Sequence, residues 1–216
     1  ILSMYTSIIH LRISSQYIPA VLQISSLSDY PFTIAPKAES ESIIQSTRPS
    51  QRILEGTRAL NPGSGTPFAR QSNLDIKTGE TIPLSDRRMF YQKANMLWHS
   101  DSTFKSVPSL CSVLSAREIP PVGGATEFAS TRVLYGRLSE NEQNKFADLV
   151  IEHDFVYSRG IVGFTLSEDE AAKFPAAHHD LVRKNKNNGR RSLMIGAHAK
   201  TVVGWSKDQG RTFLEN

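Results

Sequence analysis

A histidine and an aspartate stand two residues apart in Trp98-His99-Ser100-Asp101-Ser102-Thr103-Phe104. If that stretch is extended, both side chains leave the same face, because strand side chains repeat with period two. One imidazole nitrogen and one carboxylate oxygen can then meet a single ion. Mixed nitrogen and oxygen ligands of this kind suit Fe(II) when a second histidine completes a facial triad and leaves positions open for ligands. An isolated His-x-Asp is weak evidence, since it is more often a satisfied core histidine beside a turn or cap aspartate.

Other residues could join such a site. Thr126 follows Gly123-Gly124, where glycines let backbone approach closely and a hydroxyl can donate to a carboxylate; as a bare Gly-Gly-x-Thr it is a turn. Asn95 is close enough in sequence to reach the same ligand, or is a structural amide. His198, in Gly196-Ala197-His198-Ala199, is buried or exposed according to its strand register. His178-His179 and His153 read as surface or capping histidines, His153 at the end of a helix. Trp98 reads as packing, and beside an ion it would limit water access.

Elements able to position these residues are legible from Ser72 onward. Asn73-Leu74-Asp75-Ile76 reads as a strand and Lys77-Thr78-Gly79-Glu80 as the turn after it. Leu110 to Ala116 is apolar and strand-forming, and a second strand ends near Phe128. Ser130 or Thr131 caps a helix over Arg132 to Arg137. Ser139-Glu140-Asn141-Glu142 is a capping box opening a helix towards Ile151, and Ser167-Glu168-Asp169-Glu170 opens a shorter one. Leu181-Val182-Arg183 and Ser192-Leu193-Met194-Ile195 read as strands joined through an Asn-Gly turn. Gly210 to Asn216 reads as the start of a helix.

With 216 residues, 39% of them hydrophobic and 21% charged, the composition is that of a globular chain large enough for a sizeable core. The single cysteine, Cys111, excludes an internal disulfide framework, reads as a small buried hydrophobe in a strand, and fits a reducing, cytoplasmic setting. A net charge of +4 permits anionic partners. Much of it clusters at Arg183, Lys184, Lys186, Arg190 and Arg191, as at a solvated hairpin tip. No helix-turn-helix, RNP or zinc-finger pattern accompanies those charges, and no stretch approaches the ~20 apolar residues of a membrane span, so neither nucleic acid nor membrane is an expected partner. Residues 1–71 show no clear element pattern. The stretch from Ala38 to Gly65 is rich in Ser, Arg, Pro and Gly, as in a linker or disordered segment, and Ile1 implies a processed or incomplete start.

Leu97-Trp98-His99-Ser100-Asp101-Ser102-Thr103-Phe104 followed by Pro120-Pro121-Val122-Gly123-Gly124-Ala125-Thr126-Glu127-Phe128 resembles the TauD/TfdA family of Fe(II)/2-oxoglutarate-dependent dioxygenases, the taurine and 2,4-dichlorophenoxyacetate type. Leu181-Val182-Arg183, Gly189-Arg190-Arg191-Ser192-Leu193 and Ile195-Gly196-Ala197-His198-Ala199 look like the same family in the same order. The resemblance implies an α+β chain built on a double-stranded β-helix, a cupin-like jelly roll with flanking helices. It gives 1–71 as a poorly defined segment and 72–216 as a partial dioxygenase domain. It assigns His99 and Asp101 to Fe(II), Thr126 and Asn95 to the cosubstrate 2-oxoglutarate, and His198 to the substrate pocket. The implied reaction uses O2 to convert 2-oxoglutarate to succinate and CO2 while hydroxylating a small, anionic organic substrate. The family's third iron ligand, a histidine, and its cosubstrate-binding arginine belong to a segment after Asn216. The expectation is therefore a fragment that is inactive alone, and the alternative is a dioxygenase-like protein with a structural or regulatory role. Oligomeric state is not readable from the sequence.

Overall fold

Among the described residues, polar residues start most of the helices. The computed structural model describes residues 73–108 and 125–215 apart from 74, 76 and 187. It gives backbone alone for β1 (Ile9–Ser14), β2 (Leu22–Ser26), β3 (Ala69–Gln71), β4 (Ser112–Ala116) and the first two residues of β5 (Ala125–Ser130). These fall into two units.

In the first unit, β2 is the centre of an antiparallel sheet ordered β3-β2-β4, with Leu22 opposite both Gln71 and Ala116. The expected turn after residue 76 is present. The Gly79 N–H donates to the Asp75 carbonyl (2.9 Å), the Lys77 N–H to Asp75 Oδ1 (2.8 Å), and Gly79 takes the positive φ of 73° that glycine tolerates. Cys111 lies outside the described residues.

The boundary between units falls within α1 (Arg87–Lys93), an element that sequence patterning missed. In the second unit, Ser130 accepts from the Val133 N–H and opens α2 (Thr131–Arg137). Ser139 forms the expected capping box with Glu142 and opens α3 (Glu140–Phe146). That helix was expected to reach Ile151, but it stops at Phe146 and the chain enters β6 (Val150–His153). The β-branched pair Val150-Ile151 favours a strand, and burial alternates along it, with Ile151 and His153 pointing inwards. His153 is therefore a fully buried strand residue rather than a helix-end surface histidine. Asp154 caps α4 (Phe155–Ile161), Ser167 forms the second expected capping box for α5 (Glu168–Ala171), and Ser206 brackets the first turn of α6 (Lys207–Glu215), which begins ahead of the expected Gly210.

β6 is also the central strand of an antiparallel sheet ordered β10-β6-β7, with β7 (Ala177–Asp180) and β10 (Ala199–Val202) at its edges. His178 and His179 thus lie in β7. β8 (Val182–Lys184) and β9 (Arg191–Leu193) form the expected hairpin, closed by the Asn185 N–H to the Arg190 carbonyl (2.8 Å), with Lys184, Lys186, Arg190 and Arg191 exposed around it. β1 pairs with β5. The secondary structure is mixed helix and sheet, and the described strands form four sheets that do not close into a barrel. Among the described residues no helix is long and apolar enough to cross a membrane.

Tyr135, Ile151, Leu181, Leu193, Ala199 and Val202 form the core between α2, the β6 sheet and the hairpin. α6 closes against β10 through Gly210, where a Cβ would collide with the Thr201 side chain and lie 2.9 Å from the Val202 nitrogen. Gly210→Ala is expected to destabilise the unit by about 1–3 kcal/mol despite alanine's higher helix propensity. A urea midpoint equal to or above wild type would show that the contact relaxes freely.

His153 makes the unit acid-sensitive. Burial, followed by the neighbouring His179, depresses its pKa to about 3, against 6.5 for the ordinary group, with the Met194 backbone opposing. Between those values the unfolded chain binds the extra proton, so stability is fully present above pH 6.5 and is lost as pH falls below it, at up to about 1.4 kcal/mol per pH unit. Urea unfolding between pH 5 and 8 should show this slope in wild type and a shallower one in His153→Leu. Equal slopes would contradict the assignment.

Candidate metal centre

Three separate segments meet at His99. The 3-10 turn Ala94–Met96 ends with the Leu97 N–H on the Ala94 carbonyl (3.2 Å) and delivers an extended link through Trp98 and His99. The Trp98 carbonyl accepts from the Ala197 N–H (2.8 Å), tying this link to the loop before β10. The His198 carbonyl accepts from the Asp154 N–H (2.8 Å), tying the same loop to the start of α4. These two bonds bring His99, His198 and the inner face of α4 together.

His99 is 6% exposed, and its Nδ1 lies 2.7 Å from the Leu97 carbonyl. A carbonyl can only accept, so in the neutral ring Nδ1 carries the hydrogen and Nε2 keeps its lone pair. On that side the Asp101 Oδ1 lies 3.3 Å from Nε2. The two donors converge as expected, but not through a strand. Asp101 begins a turn in which Ser102 takes a φ of 62°, uncommon for a residue other than glycine, and the Lys105 N–H donates to the Ser102 carbonyl (3.0 Å). The turn, rather than strand alternation, brings the carboxylate back to the imidazole.

A lone pair on one nitrogen and a carboxylate oxygen meeting on one side are chemically suited to a divalent ion, and the bond from Leu97 is the outer support that such a histidine usually has. Among the described residues, no set of three or more His, Cys, Asp or Glu side chains converges on one point.

His198 is 5% exposed, and its ring stands edge-on to His99 with centroids 6.3 Å apart. Its Nδ1 is 2.9 Å from the Ser158 Oγ. Phe104 meets the same ring edge-on at 4.9 Å, and Phe155 packs against both Phe104 (4.7 Å) and Phe174 (4.4 Å). Burial above all holds His198 well below its ordinary pKa; the Arg159 charge adds to the shift and Asp101 opposes it.

Two polar residues of α4 that sequence reading missed complete this side. Ser158 touches His198. Arg159 is 7% exposed, with its guanidinium 4.5 Å from the Tyr91 ring centre and 4.6 Å from that of Phe155, one weak bond from Nη1 to the Tyr91 carbonyl (3.4 Å), and a buried Nε without a partner. Burial lowers its pKa, while Tyr91 and Asp101 oppose the shift. The signal in the sequence was Asp154 as a cap, with Phe155, Ser158 and Arg159 at the spacing of one helix face. Two of those three residues are polar, which hid the face from a search for apolar periodicity.

Asn95 is half-buried in the 3-10 turn leading to His99. Thr126 lies in β5, and its side chain is outside the described residues. Trp98 lines a cleft of about 260 Å³ with Ile161, Ile195, Ala197, Arg211 and Leu214; neither His99 nor Asp101 lines it. Arg211 is held there by Glu215 (2.6 Å) and the Ala199 carbonyl (3.0 Å). His179 bonds to the Lys105 carbonyl (2.9 Å), and His178 faces solvent beside Glu152.

The sequence model of the taurine catabolism dioxygenase TauD, TfdA family matches residues 51–216. An alpha-ketoglutarate-dependent 2,4-dichlorophenoxyacetate dioxygenase from Cupriavidus pinatubonensis is 41% identical over 144 residues, covering 66% of this chain and 50% of that protein. One of the same description from Burkholderia sp. strain RASC is 37% identical, covering 66% and 48%. The crystal structure of AAD-2 in complex with Mn(II) and N-oxalylglycine matches with a TM-score of 0.60 and 34% identity, over 66% of this chain and 53% of that one. The chain thus spans about half the length of the curated relatives it matches.

The unpaired Nε and the absence of a carboxylate within ion-pair distance of Arg159 among the described residues imply that its charge adds little to folding. Arg159→Met, which keeps the packing stem, is expected to unfold within about 1 kcal/mol of wild type. A loss of several kcal/mol in urea unfolding would show that the charge is integral to the fold.

Proposed function

The chain belongs to the TauD/TfdA family of dioxygenases, and from that membership we propose that it carries the His-Asp portion of an Fe(II)- and 2-oxoglutarate-dependent dioxygenase, with His99 and Asp101 as iron ligands. The observation that carries this reading is the convergence of His99 Nε2 and Asp101 Oδ1 at 3.3 Å, with His99 Nδ1 already committed to Leu97. The proposed dioxygenase portion is 72–216, and its parent architecture is the jelly roll that the family resemblance implies. Iron bound there would supply oxidative decarboxylation of 2-oxoglutarate to succinate and CO2, coupled to hydroxylation of a small organic substrate. Relatives named for 2,4-dichlorophenoxyacetate and for (S)-phenoxypropionate favour an aryloxy acid as that substrate.

The chain's own residues divide the remaining tasks. Leu97 orients His99, and the turn through Ser102 places the carboxylate. Phe104, Phe155 and Phe174 keep water from the inner side, where a lower dielectric strengthens every charge interaction. Thr126 and Asn95 are proposed to reach the cosubstrate and His198 the substrate. A second reading, a dioxygenase-like protein without turnover, is favoured by the lack of a third converging ligand among the described residues.

Anaerobic addition of Fe(II) and then 2-oxoglutarate should produce the weak visible charge-transfer band of an iron chelate, and aryloxy acid with air should then yield succinate. Asp101→Asn and His99→Ala should each weaken Fe(II) binding by more than the roughly 10–100-fold that changes outside the ligand shell cost. A band without succinate would select the second reading. Unchanged Fe(II) affinity in both variants would overturn the ligand assignment.

A further inference from the structure

A serine hydroxyl has one hydrogen to give, and in α4 the direction of that hydrogen is settled by the backbone. The Ser158 Oγ donates to the Phe155 carbonyl at 2.7 Å, one helical turn back, a group that can only accept. The same oxygen lies 2.9 Å from His198 Nδ1. With its hydrogen already committed, Ser158 can only accept from the ring. We propose that Ser158 is a positioning residue that fixes His198 with its hydrogen on Nδ1 and so presents Nε2 as a hydrogen-bond acceptor beside the His99–Asp101 pair.

The surroundings agree with a neutral ring in one orientation. Ser158 is 1% exposed and His198 5%, and the His198 ring packs against Phe104 and Phe155. No described residue hydrogen-bonds to His198 Nε2, and no carboxylate bonds to the ring. Backbone anchors act at both ends, since the His198 carbonyl receives the Asp154 N–H and Ser158 lies in the helix that Asp154 caps. A histidine in this state receives a hydrogen bond and cannot give one from Nε2. The group that meets it therefore carries the hydrogen; an aryloxy acid anion has none to give, so a bridging water would stand between such a substrate and the ring. A bare carboxylate oxygen does not fit, and the anionic end of a substrate is left to another group.

The identity of that ligand rests on the dioxygenase reading above, whereas the tautomer is a property of the metal-free chain and can be measured there. Long-range proton–nitrogen correlation on the histidine-labelled, metal-free protein at pH 7.5 reports each ring's protonation, with the His198 signals identified by their loss in His198→Gln. The expected result is a protonated Nδ1 and an unprotonated Nε2 in wild type. Ser158→Thr, which keeps the hydroxyl, should retain the pattern. Ser158→Ala should shift the ring towards Nε2 protonation or a mixture of the two forms. A proton on Nε2 in wild type, loss of the pattern in Ser158→Thr, or an unchanged pattern in a folded Ser158→Ala would each overturn the proposal. If Ser158→Ala does not fold, the wild-type and Ser158→Thr spectra decide it.

Discussion

The bond between His99 Nδ1 and the Leu97 carbonyl decides what the site can be. It is local, two residues apart, and needs only an extended backbone on leaving the 3-10 turn. Because a carbonyl cannot donate, this single contact selects the tautomer, fixes the ring plane and leaves one lone pair facing Asp101. The Trp98–Ala197 backbone bond also holds the link against the loop preceding β10. Loss of either bond would leave the His-x-Asp spacing intact in the sequence and remove its geometry.

The inner side of the site is built from polar groups set in an aromatic cluster. Such groups cost free energy to bury unless they are bonded or compensated. Ser158 meets this by bonding its own helix and His198 together. Arg159 meets it incompletely, with two aromatic faces and one long bond in place of a carboxylate. A buried cation held near the Asp101 carboxylate, with hydrogen-bonding capacity unused, is a pattern more often associated with sites than with cores.

Local signals in the sequence reached the structure largely intact, and tertiary ones did not. Ser139 and Ser167 specify their helix starts because a capping box is satisfied within four residues. The β8–β9 hairpin is likewise fixed by its Asn-Gly loop. The extension of α3 to Ile151 failed because Val150 and Ile151 satisfy a helical face and a strand equally well, and pairing with β7 and β10 decides between them. His153 was misplaced for the same reason. The His99–Asp101 pair was legible as a motif, yet the extended geometry used to justify it was not the one the chain adopts. Ser158 and Arg159 were illegible because their partners, His198 and Tyr91, lie far away in sequence.

The central claim is that His99 Nε2 and Asp101 together face one divalent ion. Electron spin-echo envelope modulation of Mn(II) added to the nitrogen-15 histidine-labelled chain tests it most directly, because it detects an imidazole nitrogen bound to the metal. The account predicts a directly coordinated histidine nitrogen whose coupling disappears in His99→Ala. An ion showing no histidine coupling, or coupling that survives His99→Ala unchanged, would contradict it.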